Sequence, residues 1–191
     1  MPEHPVRQAD WREPMDSFTA FRKGFSKLLE IIVVANVIAL TLVVTVGFAS
    51  RLAGSPFSWY DEVASVGLAW LTYYGAALAA AKGAHIGCPS VVNYFSPRLR
   101  LPIALLAEAI TIGFFVLLAY TGMQVVLILE GSSLVSLTNV SLQLTQSVLP
   151  IGSVLFIIAE ILRLPEVIES AKGDGFVDHE LAEAGVKPVK A

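Results

Sequence analysis

Four long apolar runs separated by short polar stretches set the hydrophobic pattern of this chain: Leu28–Phe48, Val63–Ala81, Ile103–Leu129 and Leu144–Leu164. At 1.5 Å per residue the shortest spans roughly 28 Å as a helix and the longest about 40 Å, so each can cross a bilayer's hydrocarbon layer. The pattern predicts an all-α integral membrane protein with four transmembrane helices in two hairpins. It divides the chain into an N-terminal segment (1–27), a transmembrane domain (28–164) and a polar tail (165–191). Ahead of the first span, Phe18, Phe21, Phe25 and Leu28 recur at three- and four-residue spacing, with Arg22, Lys23 and Lys27 largely elsewhere. That periodicity predicts an interfacial amphipathic helix leading into the membrane. The apolar run that follows is longer than a signal-peptide core and reads as a signal anchor.

The second span has the most marked ends. Trp59 and Tyr60 suit the headgroup zone, and Asp61 and Glu62 stand where a helix N-terminus favours carboxylates. Gly75, Ala79 and Gly83 form a small-xxx-small ridge, which lets another backbone approach closely in lipid. Beyond it, Lys82 and His85 precede Cys88-Pro89, where the helix should stop because proline lacks the amide hydrogen. Pro102 reads as a first-turn residue opening the third helix. Pro150-Ile151-Gly152 predicts a kink in the fourth, since Pro150 leaves the carbonyl of Gln146 without its helical donor. The serine-rich 131–141 connection carries no recognisable element, although Leu134, Leu137 and Leu142 could dip into the interface. The tail after Pro165, with six acidic residues and three lysines, reads as cytoplasmic and partly disordered.

Composition agrees with the pattern: 55% of the 191 residues are hydrophobic, 15% are charged, and the mean hydropathy is +0.68. A net charge of −3 without a basic stripe argues against nucleic-acid binding. A single cysteine, Cys88, excludes an internal disulfide or a multi-cysteine metal site within one chain. Twelve of the thirteen Lys and Arg residues fall on one side of the four-span topology, with Arg51 on the other. By the positive-inside rule both termini are expected in the cytoplasm.

Charges inside the membrane are costly and mark candidate functional positions. Glu108, about two turns into the third span, is the clearest, and reads either as paired with a cation of a neighbouring helix or as snorkelling to the interface. A proton relay would need several titratable groups in one path, and no second carboxylate is read at mid-membrane depth. Gln143, Gln146, Pro150, Ser153, Ile157 and Glu160 share one face of the fourth helix. That face should avoid lipid, either by meeting a partner or by packing inside the four-helix unit. Trp70 reads as packing surface whose indole N–H seeks a neighbouring helix. His85 reads as a local or intersubunit hydrogen-bond donor. No Ser-His, paired-carboxylate or His-rich cluster appears at depth, so no enzyme is expected. Haem or quinone binding, as in a membrane anchor subunit of a redox complex, is the alternative reading. It is disfavoured because His4, His85 and His179 all lie outside the spans.

Trp59, Asp61-Glu62, Trp70, Gly75-Ala76-Ala77, His85-Ile86 and Pro150-Ile151-Gly152 stand in an order that resembles the DctQ family, the small membrane subunits of tripartite ATP-independent periplasmic (TRAP) transporters. The resemblance covers about residues 20–165. Two positions depart from it: Ala64-Ser65 stands where family members often carry an arginine, and Pro89 where an aspartate often follows His-Ile. The resemblance implies a bacterial inner-membrane scaffold in a sodium-coupled secondary transporter for organic acids, commonly carboxylates. It implies two protein partners, a large DctM-like subunit moving substrate by an elevator motion and a periplasmic DctP-like binding protein. Coupling sodium would bind in the large subunit, and no metal or cofactor is expected in this chain.

Overall fold

The computed structural model describes residues 13–83 and 97–172. Among these, five helices follow one another: α1 (Glu13–Leu52), α2 (Tyr60–Lys82), α3 (Pro97–Ile128), α4 (Leu142–Gln146) and α5 (Val148–Lys172). With α4 and α5 counted together, four helical stretches are long and apolar enough to cross a membrane, and the all-α membrane architecture follows.

The amphipathic N-terminal segment and the first span are one uninterrupted 40-residue helix. No proline falls between Phe18 and Leu52, so the i to i−4 ladder has no reason to break. α3 opens five residues earlier than Pro102 suggests. Pro97 takes the first helical position, where a missing N–H costs nothing, and Pro102 lies inside the helix. α5 likewise runs through Pro165 to Lys172 instead of stopping at Leu164. Tertiary contact carries it past the proline: Val167 and Ala171 are buried against Ala104, with Leu101 alongside.

The helices form a row in the spatial order α1, α2, α5, α3, since the main contacts join α1 to α2, α2 to α5 and α5 to α3. Both hairpins form, α1 with α2 and α3 with α5, and the second is entered from its far side, with α5 between α2 and α3. The core lies along the middle of the row, where Leu29, Ala77, Ala80, Ala81, Phe156 and Ala159 are buried together. Phe156 stacks on Phe115 of α3 with ring centroids 3.6 Å apart. Outward faces of α1 and α3 stay apolar and exposed, including Ile38, Leu42, Phe114 and Leu117. The connections after α1 and α3 share one end of the row, the hairpin end. The start of α1 and the last turns of α5 share the other, the terminal end.

Candidate functional site

Two constellations stand out, one at the hairpin end and one in the seam around α5. At the hairpin end, Trp59 occupies the N-cap position of α2, stacked on Phe57 with centroids 5.6 Å apart, and Asp61 and Glu62 lie in the first turn. Glu62 does more than complement the helix dipole. Its two carboxylate oxygens accept the backbone N–H groups of Val135 and Ser136, at 2.9 and 2.8 Å, and the Ser136 hydroxyl donates to the carbonyl of Ser58 at 3.1 Å. The 131–141 connection is thereby ordered. Its ends pair through an antiparallel bridge between Ser133 and Ser141, Leu134 is buried, and Gly131 turns the chain with a φ of 76°. Asp61 binds Arg51 at 3.2 Å, and that guanidinium lies over the Tyr60 ring, 5.1 Å from its centroid. Both first-turn carboxylates therefore hold neighbouring segments in place.

The helical stretch in which a kink is expected at Pro150 is interrupted three residues earlier, at Ser147, which keeps helical dihedral angles (φ −60°, ψ −19°). Ser147 is the C-cap of α4, and Pro150 falls in the first turn of α5, where no amide hydrogen is required. Polar side chains gather at this break. The indole N–H of Trp70 donates to the carbonyl of Thr145 at 2.9 Å, and the Gln143 side-chain amide donates to the carbonyl of Val126 at 3.1 Å. Gln146 sits half-buried in the same turn. Trp70 thus ties α2 to the break, as its mid-span position suggested.

The polar face of the fourth span turns inward. Pro150, Ser153 and Glu160 are buried within the chain, which decides between partner contact and internal packing in favour of packing for these three. Gly152 makes the α2–α5 seam possible: a Cβ there would stand 2.7 Å from the Cβ of Tyr73, so only glycine allows this approach. The small-residue ridge of α2 plays a different part. The stripe that packs inside the chain is Ala77, Ala80 and Ala81, one step around the helix from Gly75 and Ala79. A Cβ at Gly75 would meet nothing within 4 Å, and Ala79 is half-buried. Gly83 is the left-handed C-cap of α2 (φ 73°), with the Arg163 guanidinium beside it.

Sequence reasoning missed the partner of Glu108. Glu160 of α5, 2% exposed, is hydrogen-bonded to Glu108 and feels the charge of Arg163. Glu160 stands four residues before Leu164 and Glu108 five after Ile103, so the two carboxylates meet near the ends of their spans. An intramembrane Glu on the inward face of the fourth span was the available signal, and only packing could match it with Glu108. At the terminal end Arg22 pairs with Glu166, and Lys82 with Glu30 at 3.2 Å. His85, Ile86, Cys88 and Pro89 lie outside the described residues. Among the described residues no group of three or more His, Cys, Asp or Glu side chains is placed to hold a metal ion.

A family model described as "Tripartite ATP-independent periplasmic transporters, DctQ component" matches residues 40–169, which include the Trp59–Glu62 turn, the Gly-Ala-rich helix and the Pro150 break. A search of curated proteins returned no match to the chain.

Proposed function

The chain belongs to the DctQ component family of tripartite ATP-independent periplasmic transporters, and from that premise we propose that it is the fixed scaffold of a sodium-coupled, binding-protein-dependent carrier of organic acids. The observation that supports this reading best is the open row of helices. α2 and α5 hold the chain together, while α1 and α3 keep long apolar faces exposed along their length. In lipid such faces can receive another membrane protein, and the open Gly75 position with neighbouring Ala79 adds a place for close backbone approach. The partner would be a DctM-like large subunit carrying the substrate and sodium sites. At the hairpin end, the Glu62 clamp presents an ordered 131–141 loop with Val135 on its surface, a rigid platform suited to docking a DctP-like binding protein. Both termini then face the cytoplasm of a bacterial cell, as the Lys and Arg distribution implies.

The test is reconstitution. Liposomes holding this chain alone should show no sodium-driven uptake of organic acids, and adding the large subunit and the binding protein should restore it. Uptake by the chain alone would defeat the scaffold reading. A cysteine placed at Val135 should be labelled from outside the cell once Cys88 has been replaced; labelling only after permeabilisation would reverse the orientation.

A further inference from the structure

At the terminal end a groove of about 950 Å³ runs between α1 and the ends of α2 and α5, and its wall changes character along α1. Lys23 and Lys27 stand at one end of it, and Ile31, Val34 and Ile38 continue the same wall on successive turns. From Lys23 to Ile38 this is roughly 22 Å of helix, enough to reach from headgroup depth well into the hydrocarbon. The charges resolve simply. Arg22 and Glu30, also in the wall, are answered by Glu166 and Lys82. Lys23 and Lys27 join no ion pair among the described residues and are exposed.

We propose that this groove is a binding site for one anionic phospholipid, with its phosphate on Lys23 and Lys27 and an acyl chain laid along Ile31, Val34 and Ile38. A purely apolar occupant would leave two cations at the mouth without a counter-charge, and a soluble anion would leave the aliphatic half uncovered. An anionic phospholipid satisfies both halves at the depth where each lies, as basic pockets between membrane helices do for acidic headgroups. The proposal assigns the Lys23–Ile38 wall of α1 to lipid and leaves the rest of α1 and the exposed face of α3 to the large subunit, so a crosslink at position 34 separates the two occupants.

The test uses the full chain, purified in detergent and stripped of lipid. It is titrated with phosphatidylglycerol, with phosphatidylcholine of the same acyl chains, and with inorganic phosphate, and adducts are counted by native mass spectrometry. The parent should prefer phosphatidylglycerol. The double variant Lys23→Gln/Lys27→Gln should lose about thirtyfold in that affinity, the effect of about 1 kcal/mol per lysine, with phosphatidylcholine binding and helix content unchanged. Val34→Trp, which fills the apolar half, should weaken both lipids. Equal binding of the two lipids, or a double variant that binds phosphatidylglycerol like the parent, overturns the proposal. Inorganic phosphate competing at the same concentration as the lipid reduces the site to a plain anion contact and also overturns it. In cells, a photoreactive residue at position 34 should crosslink to lipid; a crosslink to a membrane protein instead assigns the groove to a protein interface.

Discussion

α5 and α1 are both long apolar helices, yet their surroundings are opposite. α5 buries Val148, Pro150, Gly152, Ser153, Phe156, Ala159, Glu160, Val167 and Ala171 between α2 and α3, whereas Leu29 and Gly47 are the buried residues of α1 among those described. Hydrophobicity does not separate them, because lipid tails are as apolar as leucine and give little drive for one helix to leave them for another. Small and polar residues do. On α5 they lie on the packed face, as at Gly152, Ser153, Ala159 and Glu160, whereas those of α1, among them Ala35, Ala39, Thr41 and Thr45, are exposed. In this protein the interior of the membrane unit is marked by its least bulky and most polar face.

The largest test of that contrast is Phe156→Ala, which removes the ring stacked on Phe115. It should destabilise the chain by about 3 kcal/mol, measured as reversible unfolding in micelles or bicelles. Ile38→Ala, on the exposed face of α1, should change stability by less than about 0.5 kcal/mol, as exposed substitutions usually do. A cost at Ile38 equal to that at Phe156 would erase the distinction between the two helices.

Next come two glycines given the same methyl group. Gly152→Ala drives a Cβ against Tyr73 and should cost about 2 kcal/mol through overpacking. Gly75→Ala has open space and should leave the isolated chain unchanged or stabilise it by up to about 1 kcal/mol through helix propensity. If Gly75→Ala nonetheless reduces co-purification with the large subunit, the open side of α2 is the partner's side.

Smaller in stability, but local, is Glu62→Ala. Losing the carboxylate that accepts from Val135 and Ser136 should loosen the 131–141 connection. It should also speed amide exchange at those two residues while leaving α5 protected. Uniform loss of protection would show that the clamp belongs to the global core and not to the hairpin end alone. The smallest effect belongs to the terminal end of α1. A double-mutant cycle on Arg22 and Glu166 should give below about 1 kcal/mol, falling as salt rises, because the pair is partly exposed.

The four spans, the helix-terminal role of Asp61 and Glu62 and an irregularity close to Pro150 follow from the sequence alone. Each depends on local quantities: run length, dipole complementarity and the missing proline hydrogen. Trp70 as a helix-to-helix tie could be read the same way, since a buried indole N–H needs an acceptor. What only the tertiary structure decided is which faces meet. Glu62 reaches backbone amides more than seventy residues away, Glu160 finds Glu108 across a seam, and Arg22 finds Glu166 across the row. The ridge of Gly75 and Ala79 and the stripe of Ala77, Ala80 and Ala81 are equally small in sequence, and the Tyr73–Gly152 contact selects the second as the internal seam. Prolines 102 and 165 read as helix boundaries because the sequence shows their missing hydrogen bonds, and not the packing at Ala104, Val167 and Ala171 that outweighs Pro165. Helix–helix pairing in lipid rests on close contact and shared polar partners, which are properties of two surfaces together and are not written in either one.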